Sequence, residues 1–245
     1  MYYLKTESFH TETPVYQKLE GGDNTFFFAD ARVAKDYATT GLYERNVIRW
    51  TCDNLLPSGK AFVDIGAHHG IYTVEMAKKG HVHAFECSPK SFNYLCANLA
   101  LRDLHYQVTP HNVALGPTAG TTPYYIRDPK DGGGNGVCSF DYDTQRQTPS
   151  IQVPMQTLDS FGLTNIGFIK IDVEGYELQV LQGAEETLKR NGYPKILFES
   201  WRPAQEALGF PSVALRTSLF EWLRSRGYQI IPINGWDDIF LAEHA

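Results

Sequence analysis

Residues 168–177 read F-I-K-I-D-V-E-G-Y-E. The stretch begins as a strand suited to burial, yet Lys170, Asp172 and Glu174 occupy alternate positions. A strand covered on both faces normally reads as an unbroken apolar run. Burying charge is costly unless the charge is paired or put to use. Side chains alternate along a strand, so Lys170 and Asp172 share one face and Ile169 and Ile171 the other. The run therefore reads as a central strand whose carboxyl end leaves the core, with Gly175 turning the chain into the next helix.

The same rhythm extends outward. A-F-V-D-I (61–65) and H-V-H-A-F-E (81–86) are strand-like, with the helical spacing of I-Y-T-V-E-M-A-K-K (71–79) between them. S-P-K-S-F-N-Y-L-C-A-N-L-A (88–100) starts with a serine cap and a proline in the first turn, which marks a helix start. Q-V-T-P-H-N-V-A-L (107–115) is a third strand candidate. After residue 166 follow a helix-like run over 177–190, the strand K-I-L-F-E-S (195–200), a helix over roughly 212–226, and a closing pair of strands expected as an antiparallel hairpin. Strands alternating with helices imply an α/β fold, a largely parallel sheet with helices on both faces.

Two regions fall outside the alternation. Residues 1–59 are expected as an N-terminal cap segment on the 60–245 domain, with a helix near 43–55 that ends before Pro57. Residues 127–150 are polar and glycine-rich, which fits either a lid or a mobile surface insertion. No internal repeat is present.

Composition narrows the function. A net charge of -6 over 245 residues, with no Lys/Arg run, argues against a general polyanion binder. The amino terminus lacks a signal-peptide core and no apolar run is long enough to span a bilayer. Cys52, Cys87, Cys96 and Cys138 are scattered with no C-x-x-C pair, a usage that suits a reducing, cytoplasmic setting.

The first strand leads into F-V-D-I-G-A-H-H-G-I-Y (62–72). Gly66 and Gly70 permit a tight turn and close backbone approach. Their G-x-x-x-G spacing is not the G-x-G-x-x-G of a dinucleotide site, which counts against an NAD-dependent oxidoreductase. About twenty residues on, the second strand ends in Glu86, where an acid can accept hydrogen bonds from ribose hydroxyls. The order strand, glycine turn, helix, strand, acid points to a nucleoside-bearing ligand.

V-D-I-G-A-H-H-G resembles motif I of class I S-adenosylmethionine methyltransferases. A-F-E-C-S-P-K-S-F-N-Y-L-C-A-N-L-A-L resembles their second motif as found in the FkbM family. F-I-K-I-D-V-E-G-Y-E-L-Q-V-L-Q-G-A, with T-L-D-S-F before it, resembles that family's most characteristic stretch. The family turn reads G-A-N-x-G, and His68 stands here in place of the asparagine. The resemblance covers about residues 60–200 and implies a Rossmann-like fold with a mostly parallel seven-stranded sheet. It also implies S-adenosylmethionine as cofactor. Asp64, Gly66, Ala67, His68 and Gly70 would surround its methionine end, with backbone N–H groups at the helix start toward the carboxylate. Glu86, flanked by Cys87 and Ser88, would hold the ribose, and Asn112, Val113 and Ala114 the adenine. Glu44, with Tyr43, is a weaker candidate to close over the cofactor.

Ligands of open α/β sheets lie beyond the carboxyl ends of the strands, so Asp172, at such an end, is expected beside the transferred methyl, with Lys170, Glu174 and Glu199 completing the candidate catalytic set. Methyl transfer to an alcohol needs alignment and removal of a proton, which a carboxylate or histidine can accept. A metal bridged by carboxylates is the less favoured route, and no metal ligand is assigned. Helix capping by Asp172 and Glu174, with Lys170 neutralising a neighbour, is the purely structural reading. The expected activity is O-methylation of a sugar or glycan, including a deoxysugar such as rhamnose, or of a natural product. A sugar is preferred on Trp201, Asn135 and Ser139. A non-catalytic S-adenosylmethionine- or nucleoside-binding module and a nucleic-acid methyltransferase are the alternatives.

Overall fold

The computed structural model describes residues 15–17, 26–28, 45–128 and 134–245. In chain order the elements are β1 (Val15–Gln17), β2 (Phe26–Phe28), α1 (Arg45–Asn54), β3 (Ala61–Ile65), α2 (Ile71–Ala77), β4 (Val82–Phe85), α3 (Pro89–Ala100) and β5 (Val108–His111). Then follow β6 (Ala114–Leu115), β7 (Gly120–Tyr125), α4 (Asp141–Arg146), β8 (Ser150–Gln156), β9 (Ile166–Ile171), α5 (Glu177–Gln182) and α6 (Glu185–Arg190). The chain closes with β10 (Lys195–Glu199), α7 (Ser212–Ser225), β11 (Tyr228–Pro232) and β12 (Ile239–His244).

Seven strands form the main sheet in the order β11-β12-β10-β9-β3-β4-β5. The pairs from β10 to β5 are parallel, while β12 runs antiparallel between β10 and β11. The closing hairpin is thus part of the sheet. Strand order reverses between β3 and β9, and ligands of open α/β sheets lie beyond the carboxyl ends at such a switch point.

Each face of the sheet carries its own core. Phe62, Phe168, Leu197 and Leu241 point to one side with Phe26, Phe28, Val47 and Ile48. Val63, Ile65, Ile169, Ile171 and Phe198 point to the other, toward Leu181, Leu188, Leu219 and Leu223. Alternation places Asp64 and Lys170 on the first face, as neighbours in register across β3 and β9. Of the segment expected as an N-terminal cap, Phe26, Phe28, Val47, Ile48, Cys52 and Leu55 belong to that core.

Four features differ from the sequence expectations. The 107–115 candidate breaks after His111, and Ala114–Leu115 pairs with β8 in a separate sheet of order β6-β8-β7. Asn112 makes the break, donating from Nδ2 to the carbonyls of Glu86 (2.8 Å) and Cys87 (3.3 Å) and folding the chain over the end of β4. Strands β7 and β8 were not expected because Pro123 and Pro154 interrupt them, and proline is normally confined to strand margins. Pro154 is tolerated because β6 reaches only Met155 and Gln156 on its other side. The helical run over 177–190 divides at Gly183, which presses so closely on residue 116 that a Cβ would sit 2.0 Å from the Gly116 carbonyl oxygen. Within 127–150, residues 141–146 form α4 rather than open loop.

The close approach of β3 and β9 at the switch point is testable. Gly66 and Gly192 both have positive φ, 75° and 71°. A Cβ on Gly66 would stand 1.8 Å from the carbonyl oxygen of Asp172, whereas one on Gly192 would meet nothing within 4 Å. Gly66→Ala is expected to lose more than about 2 kcal/mol of stability beyond Gly192→Ala, since a backbone clash adds to the common strain. Equal losses in denaturant titrations would show that the turn can relax.

Candidate active site

Lys170 joins the ends of β3 and β9. Its side chain is 6% exposed at residue level, and Nζ donates to the carbonyl of Gly66 at 2.9 Å. The same nitrogen lies 3.3 Å from Asp172 Oδ2 and 3.7 Å from Asp64 Oδ1, and 5.4 Å over the ring of Tyr72. Asp64 is fully buried and accepts from Thr73 Oγ1 at 2.5 Å, which ties α2 to β3. Burial pushes its carboxyl pKa up, and Lys170 and Thr73 oppose that shift. The charges that looked misplaced in the strand thus form one network.

The turn after β3 is held by its own amides. The N–H groups of Gly66 and Ala67 donate to the carbonyl of Phe85, and that of Gly70 to Ala67. His68 N donates to Glu86 Oε2 at 2.7 Å. These four amides are therefore engaged inside the fold, which leaves the first-turn amides of α2, after Gly70, as the helix-start N–H groups that the sequence reading directs toward the methionine carboxylate. His68, in a left-handed conformation with φ 51°, stacks on His69 and fixes Glu86 through its backbone.

Glu86 is the buried acid at the end of β4. Its second oxygen accepts from Ser88 N at 2.8 Å, while Ser88 Oγ caps α3 by accepting from Ser91 N. Burial lifts the carboxyl to about 7, with the Ser88 and His68 amides opposing. Each oxygen holds one hydrogen bond, so each retains lone-pair capacity for a hydroxyl.

Asp172 and Glu199 follow the paired residues Ile171 and Phe198 at the ends of β9 and β10. With Glu174 they form a cluster in which one oxygen of each lies within 4.8 Å of the others. Glu199 Oε2 is buried and has no hydrogen-bond partner among the described residues. Glu174 takes a left-handed φ of 58° and accepts from Trp201 Nε1 at 3.2 Å. Burial drives the pKa values of Glu174 and Glu199 well up, and repulsion from Asp172 and from the neighbouring glutamates adds to it. The turn is capped from the other side by Glu177, whose Oε1 accepts from Val173 N and Gly175 N. The purely structural reading had given that role to Asp172 and Glu174.

A cavity of about 620 Å³ joins these groups, within the size range of small-molecule sites. Gly66, Ala67, His68, Glu86, Cys87, Val113, Ala114, Lys170, Asp172, Glu174 and Glu199 all border it. Asp64, Gly70, Ser88 and Asn112 are not in its wall and shape it from behind. Glu44, with Tyr43, lies outside the described residues. The sequence reading missed Tyr124, Val137, Arg202, Trp236 and Asp238, which also border the cavity. They sit on β7, the loop after it and the segments after β10 and β11, where no periodic signal marks them.

A family model described as the methyltransferase FkbM domain matches residues 64–230. The chain belongs to the FkbM methyltransferase family. Methyltransferase sdnD of Sordaria araneosa is 28% identical over 71% of this chain and 76% of its own length. Methyltransferase 1 of Beauveria bassiana is 26% identical over 53% of this chain and 60% of its own. Among solved structures, an FkbM methyltransferase from Methylobacillus flagellatus is 19% identical with a TM-score of 0.52, covering 82% of this chain and 47% of the other. The present chain therefore spans about half of that longer FkbM protein. A proposed O-methyltransferase from Klebsiella pneumoniae is 16% identical, covers 93% of both chains and has a TM-score of 0.54. These two structures share the fold, a class I Rossmann-like sheet. This FkbM chain carries the inserted antiparallel β12, and no helix of its described residues is long and apolar enough to cross a membrane.

The raised carboxyl of Glu199 has a stability signature. A carboxyl with a folded pKa above its unfolded one favours folding when protonated, and that contribution is lost as pH rises through the folded value. Glu199→Gln is therefore expected to match wild-type Tm near about pH 4 and to exceed it near about pH 8. A lower Tm for the variant at the higher pH contradicts the assignment. Glu86 gives a second signature. Its ionised form accepts hydroxyl hydrogen bonds best, so S-adenosylhomocysteine binding is expected to strengthen as pH rises through about 7, and Glu86→Gln to remove that dependence in calorimetric titrations.

Proposed function

We propose that the protein is an S-adenosylmethionine-dependent O-methyltransferase acting on a hydroxyl of a small-molecule or glycan acceptor. The observation that carries this reading is the single cavity bordered by Glu86 at one end and by Asp172, Glu174 and Glu199 at the other. The donor set fits the cofactor: a buried acid for ribose hydroxyls, and Phe85, Val113, Ala114 and Leu115 as apolar wall for a purine. When bound, that cofactor supplies an electrophilic methyl group on a sulfonium.

The residues of the chain supply alignment and a proton acceptor. Asp172 is held by Lys170 and stands at the mouth of the switch point, the place from which a carboxylate can take the acceptor's hydroxyl proton. Glu199 and Glu174, held toward their protonated forms, limit the negative charge beside it. A protonated carboxyl also donates a hydrogen bond, so it can orient the incoming oxygen. Lys170 is a positioning residue because its contacts are to Gly66, Asp64 and Asp172.

The acceptor side modifies the sugar preference. Trp201 packs against Phe140 and Phe210 and does not border the cavity, nor does Ser139. Asn135 borders it, but its amide is paired on both sides with the backbone of Asp128. Ile48, Tyr72, Leu197, Trp236 and Ile239 border the cavity instead. Such walls favour a hydroxyl carried on an apolar body, so a natural-product acceptor ranks ahead of a free sugar.

Asp172→Asn is expected to retain S-adenosylhomocysteine affinity and to lower kcat by about 10²-fold or more, the usual size of a lost general base. Chelation is expected to leave wild-type turnover unchanged. Loss of turnover on chelation, restored by Mg²⁺, would assign the three carboxylates to a divalent cation and displace the base mechanism. Normal turnover in Asp172→Asn would remove Asp172 from catalysis.

A further inference from the structure

Arg127, two residues beyond β7, makes a dense set of directional contacts outside the groups that the chemistry requires. Its guanidinium grips Asp143 with two parallel hydrogen bonds, Nε to Oδ1 and Nη2 to Oδ2, both 3.0 Å. Nη1 donates to the carbonyl of Gly134 at 3.1 Å and Nη2 to that of Cys138. The side chains of Arg127 and Asp143 are 6% and 1% exposed. The guanidinium also lies 5.0 Å over the ring of Phe140, and Asp143 Oδ2 accepts from Phe140 N at 3.1 Å. One side chain therefore fixes both ends of residues 134–138 and the start of α4.

That segment is part of the cavity. Gly134, Asn135, Gly136 and Val137 border it and pack against the turn after β9, where a Cβ on Gly136 would stand 3.2 Å from the Cβ of Glu174. The segment is stitched to β7 by reciprocal backbone bonds between Tyr125 and Gly136, 2.8 and 3.3 Å. Asn135 closes the connection by pairing with the backbone of Asp128. Val137 also packs with Tyr124, Val153 and Met155, and among the described residues Arg127 is the side chain that hydrogen-bonds both ends of this wall, at Gly134 and Cys138. A buried ion pair is an inefficient way to gain stability, because desolvation offsets much of the attraction. Bidentate geometry instead gives directional placement.

We propose that Arg127 is a positioning residue that holds residues 134–138 as the roof of the cofactor pocket, so that ligand exchange requires the Arg127–Asp143 clasp to open. The proposal rests on the cofactor reading for its kinetic consequence, while the clasp itself is measurable without any ligand. Lysine keeps the positive charge but cannot make the paired hydrogen bonds together with two carbonyl contacts. Arg127→Lys thus separates placement from charge.

The experiment has two arms, on wild type, Arg127→Lys and Asp143→Asn. In the ligand-free arm, amide hydrogen exchange is followed peptide by peptide. Exchange over 134–138 is expected to quicken at least about tenfold in both variants, with β3, β9 and β10 unchanged. In the second arm, release of S-adenosylhomocysteine is timed by stopped flow. The variants are expected to release it at least about tenfold faster, with association little changed. Exchange over 134–138 equal to wild type overturns the clasp whatever the ligand result. Faster exchange with unchanged release overturns the roof's role in gating. If wild type binds neither S-adenosylmethionine nor S-adenosylhomocysteine, the cofactor reading fails, and the exchange arm still decides the clasp. Should Arg127→Lys fail to fold, Asp143→Asn carries both arms, since its one amide oxygen keeps an acceptor for Phe140 N while the charge and the bidentate pairing with Arg127 are lost.

Discussion

Lys170 is the cation on which the carboxyl edge of the sheet depends. Two strands meet at the switch point, and each brings an acid: Asp64 from β3 and Asp172 from β9. Left alone, one buried and one half-buried carboxylate would repel across the strand pair. Lys170 lies between them and also accepts the direction of the Gly66 turn by donating to its carbonyl. With Thr73 bound to Asp64, the same network fixes α2. Glycine at 66 is then obligatory, because the turn lies against the backbone of Asp172. The site follows from this contact: His68 N is aimed at Glu86, and Asp172 is aimed out of the strand.

Charge beyond this network is handled differently. Glu174, Glu177 and Glu199 are crowded near Asp172, with Arg127 only weakly opposing at Glu174, and burial holds all three toward the protonated form. Such an arrangement is unfavourable to the empty protein as pH rises. It is the kind of local cost that functional sites retain because neutral and ionised carboxyls side by side can orient a hydroxyl and accept its proton. Glu174 adds backbone strain, compensated by Trp201 Nε1 and by the close packing of Gly136.

Much of this was legible in the sequence. The strands of the parallel sheet and the Ser88 cap were visible because buried strands and helix starts carry local signals. Glu86, Asp172 and Glu199 could be placed because each ends an apolar run, and strand ends meet at one edge. What could not be read depends on contacts between distant segments. Asn112 looked like a ligand contact but holds the Glu86 and Cys87 carbonyls, and the amides of Gly66, Ala67, His68 and Gly70 donate within the fold, to Phe85, Glu86 and Ala67. Strands β7 and β8 hid behind prolines, and Arg127 gave no hint of its partner sixteen residues away. Trp201 looked like part of a sugar platform, yet its ring is in the aromatic packing with Phe140 and Phe210 and only its N–H reaches the acid cluster.

The most direct test of the account is the contribution of the Lys170 network to the cofactor site. Lys170→Met keeps an unbranched stem as far as the Cε position and removes the ammonium. Titration of S-adenosylhomocysteine into wild type and Lys170→Met by calorimetry, on samples shown folded by circular dichroism, measures that contribution. The account predicts binding by wild type and at least about tenfold weaker binding by the folded variant, through release of the Gly66 turn. Wild-type affinity in Lys170→Met would contradict it, because the turn and both acids would then hold their places without the cation.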